Sequence, residues 1–197
     1  KSDASYAQGN KTSETYYDVH LGKGDEIADR SFNFNSLGTM TGRSNYEYGL
    51  TALTDGSIGM SASAAASSDY LMTRSVSYKT SGYTALATKT SETYYDIHLG
   101  KGDEVADRSF NFSGGVTIKS KSTYEYGSTA LTDGSIGMSA SAVTASDLSM
   151  TRSISYKTSG YTATVTKTSE TYYDIHLGKG DEIADRSFNF SGGVTIK

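Results

Sequence analysis

The chain has no cysteine, no proline and no tryptophan in its 197 residues. Without cysteine there are no disulfides, no thiolate nucleophile and no thiolate ligands for zinc or an iron–sulfur cluster. Proline cannot donate a backbone hydrogen bond, so its absence suits strands in which every residue contributes to a ladder. These absences favour a β-rich protein whose chemistry does not depend on thiols.

The charges are balanced and the apolar residues are dispersed. Lys and Arg number 18, Asp and Glu number 22, and the two signs are interspersed, which gives a net charge of −4. The chain therefore lacks the basic stripe of a nucleic-acid-binding protein, and we expect no nucleic-acid partner. No apolar run approaches the roughly 20 residues of a membrane-spanning helix, so no membrane span is expected either. Together with 16 tyrosines and many Ser and Thr residues, this composition is typical of an extracellular or cell-surface β-protein.

One unit is repeated along the chain with a period of 78 residues. We assign residues 1–10 to an N-terminal extension strand, 11–88 to repeat 1, 89–166 to repeat 2 and 167–197 to a partial repeat 3. Tandem units of such similarity are typical of structural and adhesive arrays, in which each added unit adds reach or valency. We therefore expect a structural protein and no enzyme, with no cofactor.

Identity between the copies is uneven. Residues 11–34 match their counterparts in repeat 2 at all but two positions, and residues 46–64 at all but one. The block 35–45, in contrast, shares only two residues with its counterpart 113–123. If the protein bound a ligand, this variable block would be the candidate binding loop.

Side-chain patterns alternate with a period of two, which predicts strands. The segments "TYYDVHL" and "IADRSFNF" alternate and are separated by the glycine turn "GKGDE". Asp55–Gly56 predicts a hairpin with a type I′ turn. Alternation continues from Tyr83 to Leu99 without a breaker, so the copies should be joined stiffly by strands that run through the repeat boundary. The predicted fold is all-β, an antiparallel meander or β-sandwich of 78-residue repeats with five or six strands each. A β-solenoid is the alternative.

The partial repeat 3 predicts an unpaired pair of strands at one end of the array. Such strands are marginally stable alone and expose a sheet edge that can pair with another chain. They would act either as a cap on their own neighbour or as a strand donor to the next copy. The residues expected to form this assembly contact are Tyr172, Tyr173, Ile175, Leu177, Phe188, Phe190, Val194 and Ile196.

Two polar clusters recur in each copy. His20, His98 and His176 each follow an Asp by two residues, but no further ligand or nucleophile accompanies them, so we expect no catalytic site. The glycine turns carry acidic residues that are weak calcium candidates and more simply keep the turns soluble. They are Asp25, Glu26, Asp29, Asp103, Glu104, Asp107, Asp181, Glu182 and Asp185.

Three asparagines have the form of N-glycosylation acceptors: Asn10, Asn111 and Asn189. The leading functional hypothesis is a subunit of an extracellular fibre or surface filament, which assembles head to tail with copies of itself by strand complementation. The alternative is an adhesin stalk or lectin-like module that binds a cell-surface or extracellular ligand.

Overall fold

A computed structural model of the protein describes residues 11–196, so the strand predicted for residues 1–10 lies outside the described part. The described residues form thirteen strands and two single-turn 3-10 helices, Ala62–Ala64 and Ala140–Ala142. The strands are β1 (Ser13–Asp18), β2 (Ile27–Phe34), β3 (Met40–Gly49), β4 (Met60–Ser61), β5 (Leu71–Lys79), β6 (Thr88–Asp96), β7 (Val105–Ser113), β8 (Thr117–Gly127), β9 (Met138–Ser139), β10 (Ser149–Lys157), β11 (Thr166–Asp174), β12 (Ile183–Ser191) and β13 (Thr195–Ile196).

All thirteen strands belong to one open antiparallel sheet. Its order is β1-β2-β3-β5-β6-β7-β8-β10-β11-β12-β13, and the two-residue strands β4 and β9 pair with β3 and β8 at the side of this path. Neighbours in the sheet are thus neighbours in sequence, and the all-β meander prediction is confirmed. Every described strand pair is antiparallel, so the β-solenoid alternative is not formed.

The repeat boundary is a hairpin and not a strand. β5 ends at Lys79, residues 80–87 form a loop, and β6 begins at Thr88. The prediction of one continuous strand from Tyr83 to Leu99 is therefore wrong, because the first residues of that stretch form the loop. The stiff connection arises differently: β5 and β6 pair from Arg74↔Tyr94 to Lys79↔Thr88, so the sheet itself crosses the boundary.

The Asp55–Gly56 turn also differs from the prediction. Gly56 has φ +83°, but no residue other than glycine has a positive φ among the described residues, so this turn is not type I′. β3 ends at Gly49, and the next strand, β4, is only two residues long and pairs with Glu47 and Tyr48 of β3. Residues 50–59 are left as a long excursion from the sheet, which we call the Asp-Gly loop. Residues 128–137 form the same loop in repeat 2.

Hydrophobic clusters are built from strands and from the segments that connect them. In one cluster Ile27 and Tyr48 pack with Ala62 and Ala65 of the segment that follows β4. In another, Tyr94, Phe110 and Ile118 are covered by Leu53 of repeat 1 and Tyr161 of repeat 2. The irregular segments therefore cover the sheet, and one of them reaches from one repeat onto the next.

Within residues 11–196 there is no helix of the length and apolarity needed to cross a membrane.

Candidate assembly interface

The Asp-Gly loop of repeat 1 binds the first strands of repeat 2. The Asp55 carboxylate accepts a hydrogen bond from Arg108 Nε, and its other oxygen lies 3.2 Å from Lys121 Nζ. Arg108 Nη2 also donates to the Leu53 carbonyl, at 2.8 Å. Two basic side chains of one repeat thus hold one carboxylate of the preceding repeat.

The tip of the same loop rests on tyrosines. Gly56 N donates to the Tyr94 hydroxyl at 2.9 Å, and burial, as the largest cause, raises the pKa of Tyr94 to about 12. Tyr161 closes the loop from the other side: a Cβ at Gly56 would lie 3.1 Å from its ring. Tyr161 also donates to the Glu92 carboxylate and packs edge-on against Phe110, with ring centroids 5.0 Å apart. We call the set Tyr94, Arg108, Phe110, Lys121 and Tyr161 the loop socket of repeat 2.

A buried ion pair joins the repeats beneath the loop. Arg74 of β5 lies 3.3 Å from the Glu92 carboxylate of β6, and Glu92 is almost completely buried. Arg74 also lies 3.6 Å from Glu47 of β3 and donates to the carbonyl of Ser57 in the Asp-Gly loop. Because a buried charge requires a partner, this arginine ties together two repeats and the loop between them.

A further bond crosses the boundary near the start of β5, two residues before Arg74. The backbone N–H of Met72 donates to Glu104 Oε1 at 3.1 Å, while Glu104 Oε2 accepts from Gly102 N at 3.0 Å. The glycine turn of repeat 2 is therefore anchored to β5 of repeat 1.

The boundary between repeat 2 and the partial repeat 3 repeats several of these contacts, without a counterpart of Lys121 or Tyr161 among the described residues. Arg186 donates to Asp133 and, at 2.6 Å, to the Leu131 carbonyl, and Gly134 N donates to the Tyr172 hydroxyl at 2.9 Å. Arg152 bridges Glu125 and Glu170 as Arg74 bridges Glu47 and Glu92. This second socket is more open, since the Asp133 side chain is 61% exposed against 21% for Asp55.

The predicted assembly residues divide into buried and exposed groups. Tyr172 is fully buried, and Tyr173 shares a hydrogen bond with Ser153 of β10, so β11 is paired within its own chain. Ile175, Phe188 and Phe190 are half-buried, while the exposed members are Leu177, Val194 and Ile196. Here the partial repeat 3 thus continues the sheet of its own chain, and its transfer to another copy stays a prediction.

Most of the acidic residues in and beside the glycine turns accept hydrogen bonds or pair with arginine within the protein. Glu104 accepts two backbone N–H bonds, as above, and Asp25 accepts from the Ser68 hydroxyl at 2.7 Å. Asp29, Asp107 and Asp185 each pair with the arginine that follows them. Glu26 and Glu182 accept from the glycines of their turns, and Asp103 and Asp181 donate their backbone N–H groups within those turns. Among residues 11–196 no group of three His, Asp or Glu side chains is arranged to hold a metal ion.

The histidines have a structural arrangement. His98 Nδ1 faces the Asp96 carboxylate, and Nε2 lies 2.7 Å from the Val143 carbonyl in the segment after β9. His20 is placed in the same way, between Asp18 and Ala65. Each pair fastens a connecting segment to the turn after the first strand of its repeat.

Of the glycosylation candidates, Asn111 lies within β7 and donates to Ser120 at 3.1 Å, whereas Asn189 lies exposed on β12. Asn10 lies outside the described residues. The variable block is mostly strand: residues 40–45 belong to β3 and 117–123 to β8. The predicted loop is thus limited to the turns at 35–39 and 114–116, and ligand binding by the block stays a prediction.

The loop socket was not predicted from sequence, although one signal pointed to it. Residues 51–59, which form most of the Asp-Gly loop of repeat 1, are identical to residues 129–137 of repeat 2. Asp55 and Gly56 within it make the contacts with repeat 2 described above.

No protein-family model, no curated protein and no solved structure matches the chain.

Proposed function

We propose that the protein is a structural subunit of an extracellular fibre or surface filament, which grows head to tail with further copies of itself by β-strand complementation. The main support for the proposal is that the two repeat boundaries share the same type of contact. At each one the sheet continues without a break, and an Asp-Gly loop of one repeat docks on the first strands of the next. A junction of this kind between two chains would use only contacts that each chain already makes between its own repeats.

The edges of the sheet support the proposal. The outer edge of β1 has no strand partner within the described residues, and β12 is covered by β13 only at Phe190 and Ser191. Open edges are templates for further strands. A contact between different ends of two copies does not close on itself, so repeated addition gives a filament.

Apolar side chains near the β12 edge are also uncovered. Ile183 is 51% exposed, whereas its counterpart Val105 in repeat 2 is 7% exposed. Val105 is covered by Ala140 and Val143, which belong to the segment after the adjoining strand β8. Ile183 lacks such a strand and segment, so apolar surface of the partial repeat 3 that repeat 2 buries stays uncovered within the described residues.

The alternative is an adhesin stalk. The same array would suit this function, because a continuous sheet joins the repeats in a fixed orientation. The lectin-like form of this alternative has less support, since the variable block lies in strands β3 and β8. A stalk predicts a discrete monomer with a separate ligand, and a filament subunit predicts growth with concentration.

Sedimentation velocity and negative-stain electron microscopy over a broad range of chain concentration distinguish these functions. We expect the mean particle length to increase with concentration in steps that correspond to one chain. A single species of monomer mass at all concentrations would contradict the filament function.

A further inference from the structure

The first repeat contains a socket like that of the second, and no loop from residues 11–196 lies in it. A cavity of about 460 Å³ lies beside β1 and β2, and Asp29, which pairs with Arg30, and Thr84 are at its wall. The other lining residues are Tyr16, Arg30, Phe32, Arg43, Asn45 and Tyr83. By the 78-residue period these residues correspond to Tyr94, Arg108, Phe110, Lys121, Thr123 and Tyr161. Five of those six counterparts make up the socket that holds the Asp-Gly loop of repeat 1.

The walls of this cavity are already formed. Tyr83 donates to the Glu14 carboxylate and packs edge-on against Phe32, with centroids 4.9 Å apart, as Tyr161 does with Glu92 and Phe110. The Arg30 guanidinium lies over the Tyr16 ring at 5.3 Å, as Arg108 lies over Tyr94 at 4.7 Å. The site is therefore preorganised for a loop of the same shape, which lowers the entropic cost of binding.

Two side chains that line the cavity carry buried atoms without a hydrogen-bond partner in the described part of the chain, Arg43 Nε and Asn45 Oδ1. In repeat 2, the counterpart of Arg43 is Lys121, which binds the Asp55 carboxylate. A carboxylate that enters the cavity of repeat 1 would therefore meet Arg30 and Arg43, as the Asp55 carboxylate meets Arg108 and Lys121.

We propose that this cavity is the docking site for the Asp-Gly loop of a second copy of the chain, namely residues 129–137. This inference rests on the proposed head-to-tail assembly and identifies the contact through which one copy binds the next. Asp133 of the incoming loop pairs with Arg30 and Arg43, Leu131 packs on Phe32, and Tyr83 closes over Gly134. Each of these contacts has its counterpart at the boundary between repeats 1 and 2.

Residues 129–137 are the better donor loop because their own socket holds them less completely. Asp55 is bound by both Arg108 and Lys121, whereas Arg186 alone binds Asp133 among the described residues. For residues 129–137 to dock on a second copy, strands β11 and β12 of their own chain must leave β10. Strands β1 and β2 of the second copy then take that place in the sheet. The exchange is between near-identical strands, since residues 11–34 and 167–190 differ only at position 19, where Val replaces the Ile of position 175. The partial repeat 3 then acts as an internal competitor of the next chain.

Charge reversal at matched positions provides the test. The variant R30E places a carboxylate opposite Asp133 of the incoming copy, and D133R places two arginines opposite each other. Each variant alone should lose association by at least tenfold in sedimentation equilibrium. An equimolar mixture of R30E and D133R should regain association. Where the loop of D133R docks on R30E, the introduced arginine meets the introduced glutamate. Where the loop of R30E docks on D133R, the native Asp133 meets the native Arg30.

R186E is the matched control, since it makes the same change at the equivalent position of partial repeat 3. It weakens the hold of the chain on its own loop and should strengthen association between copies. K101E, an equal charge change on an exposed turn, should leave association unchanged. Circular dichroism of each variant confirms that the sheet is retained.

The outcomes separate this proposal from the filament function. If R30E assembles as the wild type does, or if the mixture does not regain association, the docking site is wrong while assembly through another surface stands. If the wild type and R186E both remain monomeric, both proposals are wrong. A cyclised peptide of residues 127–138 gives a direct check. It should bind the wild type and lose at least tenfold in affinity for R30E, and equal affinity for both would overturn the docking site.

Discussion

Asp55 of repeat 1 forms an ion pair with Arg108 of repeat 2, across 53 residues of sequence, at the point where the Asp-Gly loop lies on the adjoining strands. The pair is mostly shielded from solvent, with 16% of the Arg108 side chain and 21% of the Asp55 side chain exposed. It couples the stability of one repeat to the folding of the next.

D55N should therefore lower the free energy of unfolding by about 1–3 kcal/mol, the range of a hydrogen bond to a charged group. The matched variant is D133N, at the open second boundary, where solvent screens the pair and the loss should be much smaller. Urea denaturation followed by circular dichroism measures both. If D55N and D133N lower the free energy of unfolding equally, burial of the ion pair does not determine its contribution to stability.

Arg74 should be more sensitive than any surface arginine. R74A removes the guanidinium from the buried Glu92 carboxylate and leaves Lys89 Nζ, 3.4 Å away, as its remaining cation. Breaking a buried ion pair costs about 3–5 kcal/mol, and the lysine should keep the loss near the lower end of that range. The double variant R74A/E92Q removes the buried charge that has lost one partner and should recover part of the loss. A double variant that is as unstable as the sum of the single changes would contradict this account, in which the charges act as a pair.

The strands could be predicted from sequence because their pattern is local. "IADRSFNF" alternates polar and apolar side chains, and β2 has the bounds Ile27–Phe34 that this alternation indicates. The loops could not be predicted in this way. Tyr161 looks like a continuing strand residue, yet its position is fixed by Glu92, 69 residues earlier in the chain.

The Asp55–Gly56 turn failed as a prediction for a related reason. The dipeptide favours a tight hairpin when only local backbone preferences act. Here a tight hairpin would withdraw Asp55 from Arg108 and Gly56 from Tyr94, so contacts with the next repeat determine the longer excursion. The candidate site thus consists mainly of long-range contacts, whereas the fold class follows from period-two alternation.

Gly56 and Gly134 allow the contribution of Tyr161 to be separated from backbone strain. Both glycines have positive φ, +83° and +79°, so alanine at either position should cost about 1–2 kcal/mol in strain. An added Cβ meets the Tyr161 ring at 3.1 Å at Gly56 but nothing within 4 Å at Gly134. G56A should therefore destabilise the protein more than G134A in thermal unfolding. Equal effects would mean that Tyr161 yields freely and does not close the loop.

The acidic turns should not respond to calcium. The oxygens of Glu104 already accept hydrogen bonds from Gly102 and Met72, and a metal ion would have to displace them. We expect the same melting temperature in excess chelator and in millimolar calcium chloride, measured by differential scanning calorimetry. A rise of several degrees with calcium would indicate binding to the native state and would revive the calcium prediction for these turns.

His20 and His98 should make the stability of the protein depend on pH near neutrality. In each, both ring nitrogens face oxygen acceptors, so both can donate only when the ring is protonated. The hydrogen bond to the neighbouring Asp is the largest cause that raises the pKa of each histidine above its ordinary value. The resulting stabilisation is complete below the unfolded pKa of about 6.5 and is lost as the pH rises through the higher folded pKa. The neighbouring Asp18 has a lowered pKa, so its own contribution is lost only in acid and does not affect this range.

The melting temperature should accordingly fall as the pH is raised from about 6 to about 8.5, a range that spans the histidine titration. The double variant H20Q/H98Q should be less stable at the lower pH and should show a flatter profile. H176Q is the control, because His176 is paired with Asp174 but has no carbonyl partner for Nε2 among the described residues, so the slope should remain. If the pH dependence persists in H20Q/H98Q and disappears in H176Q, the titrating group lies in the partial repeat 3 instead. His20 and His98 would then not stabilise the segments that contain Ala65 and Val143.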